Sequence, residues 1–141
     1  MKNYLDLRAT NHQLNVEIEL ETIGRPKFNC GISNKLIEYH GNSDTINLSY
    51  KLDLLESFSV IIELIDKVYT TEYETAIIIK RLCIDNINLI PKYDYLAEYN
   101  NDHDNNAPTS YLGFNGKWTL TFDRPFYQWL HQVTGQGWLL K

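Results

Sequence analysis

Along most of this chain apolar and polar residues alternate one for one. Between Leu14 and Leu20, the apolar Leu14, Val16, Ile18 and Leu20 interleave with Asn15, Glu17 and Glu19. Successive side chains of an extended strand point to opposite faces, so this spacing predicts one buried face and one wet face. Gly24-Arg25-Pro26 closes the segment. A short strand is predicted from Lys35 to Tyr39, ended by the turn Gly41-Asn42-Ser43-Asp44. Ile46, Leu48, Tyr50 and Leu52 then alternate with Thr45, Asn47, Ser49 and Lys51. Phe58, Val60, Ile62 and Leu64 repeat the rule, with Ile61 and Ile65 on the opposite parity suggesting burial on both faces. After a polar connection, Tyr69 to Glu74, come a β-branched run from Thr75 to Ile84 and a shorter one from Ile87 to Ile90. In the last predicted strand, Lys117 to Asp123, Trp118, Leu120 and Phe122 alternate with Thr119 and Thr121.

Strands of this kind bury one face each, and two such sheets packed together form a sandwich. The expectation is all-β: an antiparallel, jelly-roll-like β-sandwich forming a single domain over residues 1–141. Pro125 before Phe126, Tyr127, Trp129 and Leu130, with Gly135 as a stop, predicts either a short C-terminal helix or an extended aromatic tail. Pro91 to Gly116 has no regular period and is expected to be a long functional or flexible loop.

Composition narrows the functional classes. The chain has 141 residues, 13 basic against 18 acidic ones and a formal net charge of −5. Phosphate contacts need clustered Lys and Arg, which excludes nucleic acid and an anionic membrane surface as expected partners. Sugars, cations and other proteins remain. Ten Tyr, five Phe and three Trp suit sheet faces and contact surfaces. Cys30 and Cys83 have no metal-like spacing and are expected to be free, buried thiols. Met1 to Asp6 lack the apolar run of a secretory signal, so synthesis in a reducing cytoplasm is expected.

Four groups of residues could carry function. Asp102 and Asp104, on either side of His103 and beside Asp94 and Glu98, offer hard oxygen ligands for calcium, without the spacing of an EF-hand loop; the other reading is a solvated turn. Tyr93, Tyr95 and Tyr99, with Asn101 and Asp102, could stack on sugar rings and bond their hydroxyls, or pack down over the sheet edge. Glu17, Glu19 and Glu21 share one strand face and read as gatekeepers of an edge strand, or as a cation or acid–base site. Phe126, Tyr127, Trp129 and Trp138 either complete the core or form a contact patch for another subunit. His12, His40 and His131 are scattered, and the chain has no nucleophile elbow, His-Glu-x-x-His or phosphate-binding glycine loop. Carboxylates such as Glu17 or Glu19 facing a cleft would be the one route to a hydrolase.

The stretch from Leu55-Glu56-Ser57-Phe58-Ser59-Val60 through Thr75-Ala76-Ile77-Ile78-Ile79-Lys80 to Leu82-Cys83-Ile84-Asp85-Asn86-Ile87 resembles small β-sandwiches of the carbohydrate-binding-module type. Tyr111-Leu112-Gly113-Phe114-Asn115-Gly116-Lys117-Trp118 and Phe126-Tyr127-Gln128-Trp129 look like the small virion-associated proteins of tailed bacteriophages that share this sandwich. The likeness covers about half the chain and rests mainly on strand-forming residues. It implies a non-enzymatic binding or virion-building role. Xylan-binding members bind calcium through loop acids, for which Asp102 and Asp104 would stand in. The leading expectation is a phage virion protein, a capsid decoration or tail-associated module made in the host cytoplasm, contacting itself or other virion proteins. The rival is a lectin-like module for host-surface polysaccharide, with calcium as its one candidate cofactor.

Overall fold

The computed structural model describes residues 13–33, 35–53, 57–69, 74–90, 92–102 and 110–134. Ten strands are found among them: β1 (Gln13–Ile23), β2 (Lys27–Ile32), β3 (Lys35–His40), β4 (Thr45–Asp53), β5 (Phe58–Ile65), β6 (Ala76–Ile84), β7 (Ile87–Ile90), β8 (Glu98–Asn101), β9 (Tyr111–Leu112) and β10 (Gly116–Phe122). They form two antiparallel five-stranded sheets. The first runs β4-β1-β6-β7, with β9 on the same edge of β6 as β7 but nearer its start. The second runs β3-β2-β5-β10-β8. Two hairpins, β2–β3 and β6–β7, stay within a sheet, while the members of every other consecutive pair of these strands lie in opposite sheets. The result is the expected jelly-roll-like sandwich.

Alternation builds the core as the periodicity requires. Leu14, Val16, Ile18 and Leu20 of β1 face Phe28, Val60, Ile62, Leu64, Trp118 and Leu120 of the second sheet in one buried cluster. Burying a side chain of this size is worth about 1.5–3 kcal/mol, so this cluster is the main source of stability. In β5 the alternation is strict: Ile61 and Ile65 are only partly buried, so the strand has one buried face and not two. β1 lies between β4 and β6, so the acidic ladder does not guard an edge. Glu19 instead meets Arg81 at 3.7 Å and Glu21 meets Lys80 at 3.5 Å across the β1–β6 pair.

Three strands had no sequence expectation. In β2 the inward residues Phe28, Cys30 and Ile32 alternate with Lys27, Asn29 and Gly31. The small Cys30 and Gly31 weaken the pattern, yet a Cβ on Gly31 would collide with the Lys35 carbonyl, so glycine is what permits the tight β2–β3 approach. Within the Pro91–Gly116 segment the described residues include a 3₁₀ turn (Asp94–Leu96), β8 and β9, regular elements its composition does not announce. Asp85 and Asn86 take left-handed conformations (φ 50° and 67°) in the two-residue β6–β7 turn, a geometry Asp and Asn tolerate.

The C-terminal aromatics form a helix, α1 (Phe126–Thr134), and not an extended tail. Of the two readings open for these aromatics, core or contact patch, Phe126 and Trp129 are buried among the core residues. Their rings pack on Phe122 at centroid distances of 5.8 and 4.5 Å, and Trp129 also meets Tyr93 edge-on at 6.3 Å. Tyr127 is half-buried and donates a hydrogen bond to Asp85 at 2.9 Å. Trp138 lies outside the described residues. Cys30 and Cys83 are buried and unpaired, in opposite sheets.

Candidate functional site

At one end of the sandwich β5 and β8 finish, β6 and β10 begin, and the β1–β2 and β3–β4 turns come alongside. Two tyrosine rings stand out there. Tyr69, just after β5, is 45% exposed, and Tyr111, in β9, is 42% exposed.

A hydrogen-bonded set of polar groups joins them. Lys67 reaches through its Nζ to Glu74 Oε1 at 2.7 Å and to the Gly113 carbonyl at 2.6 Å, with its side chain only 8% exposed. The same ammonium lies 5.6 Å from the centre of the Tyr69 ring, within cation–π range. Tyr111 hydrogen-bonds the Glu74 carboxylate, and the Thr75 amide donates to Glu74 Oε1 at 2.9 Å. On the other side the Tyr69 hydroxyl donates to Asp102 and accepts from the Asn115 amide at 2.7 Å.

Asn115 holds this arrangement to the frame. Its Oδ1 accepts from the Lys67 amide at 2.7 Å and its Nδ2 donates to the Lys67 carbonyl at 2.9 Å, as a neighbouring strand's backbone would. Its own carbonyl accepts from the Asp102 amide at 3.1 Å. Beneath it, the buried Tyr99 hydroxyl donates to the Phe114 carbonyl and accepts from the Phe114 amide at 2.9 Å. Gly24 (φ 71°) lets the β1–β2 turn press against the Glu74 carbonyl, 2.6 Å from where a Cβ would stand.

The electrostatics follow from these contacts. The Lys67 hydrogen bond holds the Glu74 carboxyl below its ordinary pKa. Burial, then the neighbouring Glu74 charge, raises the Tyr111 phenol, and burial, then the Asp102 hydrogen bond, raises that of Tyr69. Burial pushes the Tyr99 phenol up to about 12. All three phenols therefore stay neutral donors at ordinary pH. The arrangement can stack a flat apolar face on a ring and exchange hydrogen bonds with hydroxyls.

Only part of the sequence-based site is here. Asp102 belongs to it, and Asn101 is nearby, part-buried, with Nδ2 donating to the Tyr99 carbonyl at 3.3 Å. Tyr93 and Tyr99 are 7% and 4% exposed, so they are core residues and not stacking surfaces. Tyr95 is 55% exposed but packs against Tyr93, which in turn meets Trp129 of the helix. His103 and Asp104 lie outside the described residues. Among the described residues, no three His, Cys, Asp or Glu side chains come together as a metal site, and Asp102 alone does not supply the six to eight oxygens calcium takes. Tyr69 and Tyr111 escaped sequence reasoning because neither sits in a periodic segment; the Asn115-Gly116 turn was the one local sign of this end.

No protein-family model and no curated protein matches the sequence. Among solved structures, "vCBM60 in complex with galactobiose" superposes with a TM-score of 0.53 at 4% identity, covering 76% of this chain and 97% of its own. A selenomethionine form of vCBM60, described with a circular permutation linking two families of calcium-dependent carbohydrate binding modules, superposes with a TM-score of 0.52 at 8% identity. It covers 77% of this chain and 90% of its own. At these identities the likeness is one of fold.

Proposed function

We propose that this chain is a single, non-catalytic carbohydrate-binding domain that takes a saccharide across Tyr69 and Tyr111. The observation that carries the reading is the pair of part-exposed tyrosine rings, each tied by its hydroxyl to a carboxylate, Tyr69 to Asp102 and Tyr111 to Glu74. Rings fixed in this way lose little freedom on binding, and the polar groups around them suit a ligand covered in hydroxyls. The fold shared with vCBM60, solved with galactobiose, supports the same class of ligand.

Of the four aromatics the virion-assembly reading would use, Phe126 and Trp129 are buried, Tyr127 is half-buried and Trp138 lies outside the described residues. A hydrolase based on Glu17 or Glu19 has no support either, since Glu19 is paired with Arg81 in the middle of a sheet.

The test is a glycan array probed with the purified chain in calcium and again in chelator. Binding to a defined glycan that is lost in both Tyr69→Ala and Tyr111→Ala, with the sandwich still folded, supports the proposal. An array silent in both buffers overturns it. Retained binding in the folded double variant overturns the choice of site.

A further inference from the structure

Of the groups hydrogen-bonded around Tyr69 and Tyr111, Lys67 brings the positive charge, while Glu74 and Asp102 bring negative ones. A lone ammonium beside two tyrosines would favour a uronate or sulfated sugar, since a carboxylate or sulfate is what an amine attracts. Here the amine is engaged. It is drawn into the frame by Glu74 at 2.7 Å and by the Gly113 carbonyl at 2.6 Å, and its side chain is 8% exposed where that of Glu74 is 53% exposed. The more open member of the pair is the anion, and Asp102 adds a second exposed carboxylate on the far side of Tyr69.

We infer that Glu74 sets the charge selectivity of this site: by neutralising Lys67 inside the frame it makes the site take neutral saccharides and turn away acidic ones. The inference rests on the proposed saccharide-binding reading and names the ligand class it implies. An anionic ligand would face two exposed carboxylates and an amine already paired. Repulsion of this kind acts over several ångströms and weakens as salt screens it.

Two substitutions move the site in opposite directions. Glu74→Gln keeps the shape and an oxygen for the Thr75 amide but removes the charge, leaving Lys67 uncompensated. Lys67→Met keeps the stem but leaves Glu74 unopposed. The measurement is affinity by titration calorimetry for neutral disaccharides (galactobiose, cellobiose, mannobiose) and for the corresponding diuronates, in the buffer that supports binding. The quantity read is the ratio of uronate to neutral affinity.

For the unaltered chain a ratio below about one-tenth is expected, rising toward unity in high salt. Glu74→Gln should raise the ratio about tenfold and Lys67→Met should lower it. Loss of a merely structural contact would not shift the ratio in opposite senses. Uronates bound as well as neutral sugars, or both variants shifting the ratio the same way, would overturn the inference while leaving saccharide binding intact. Failure of every disaccharide, with the glycan array silent as well, would remove the saccharide-binding reading and this inference with it.

Discussion

The Tyr69 hydroxyl sits 2.7 and 2.8 Å from the two carboxylate oxygens of Asp102, joining the loop after β5 to the end of β8. It accepts from the Asn115 amide at the same time, so one phenol links three separate stretches of chain. Tyr69→Phe keeps the ring and removes that link. Because the group is partly exposed, the expected loss of stability is modest, about 1 kcal/mol, measured by urea melts. Saccharide affinity should fall more than stability does, because the ring is no longer held in place. Equal affinity in Tyr69→Phe and the unaltered chain would show that the anchor does not serve binding.

The heart of the sandwich should respond far more strongly. Trp118 in β10 is fully buried between the sheets. Trp118→Ala removes a large side chain from a close-packed interior and should cost about 3–5 kcal/mol, visible as a lower denaturant midpoint. A change below about 1 kcal/mol would contradict the burial described for this residue.

Gly24 connects the frame to the site. Its φ of 71° and the Glu74 carbonyl 2.6 Å from a notional Cβ mean that Gly24→Ala must both strain the backbone and push on the start of β6. The expected cost is about 1–3 kcal/mol by denaturant melts, with weaker saccharide binding as Glu74 is displaced. An alanine tolerated without change in either readout would refute this close approach.

Stability should also fall in alkali. In the folded chain burial raises the Tyr99 phenol to about 12 from the ordinary 10.0, so between these values the native state holds a proton that the unfolded state releases. The native state binds more protons in that window, so stability is fully present below pH 10 and declines as pH rises through 12. Tyr50 and Tyr127, likewise raised chiefly by burial, extend the decline. Phenolate absorbance followed together with circular dichroism should show these tyrosines ionising as the chain unfolds. Early ionisation of all ten tyrosines in a folded chain would contradict this.

Thiol chemistry gives a further check. Burial pushes the Cys30 thiol up to about 11 from 9.0, and the thiolate is the reactive form. The native chain should react slowly with an aromatic disulfide reagent, and both cysteines should react at once in denaturant. Rapid labelling of Cys30 in the native chain would contradict its burial.

Much of the architecture was legible in the sequence because strand burial has a period of two. Leu14 to Leu20, Ile46 to Leu52, Phe58 to Leu64 and Trp118 to Phe122 each announce a strand through their own neighbours, and Pro125 announces the helix. Local alternation is a property of consecutive residues, so it needs no knowledge of the rest of the chain. Short pieces such as β8 and β9 carry too few residues to show a period, and β2 is blurred by Cys30 and Gly31.

The site was decided by the tertiary structure alone. Whether a tyrosine is a core residue or a contact surface depends on what lies above it, and that is set by sheet pairing between distant segments. Tyr99 and Tyr93 look like loop tyrosines in sequence but are covered by the sandwich and its helix. In sequence Tyr69 looks like part of a polar connection and Tyr111 like part of the unpatterned Pro91–Gly116 segment. They are brought to one end because β5 hydrogen-bonds β10 and β9 hydrogen-bonds β6, placing both tyrosines around the same Lys67–Glu74 pair. Alternation along the chain says which side of a strand a residue faces; only the packing of one strand on another says what it meets there.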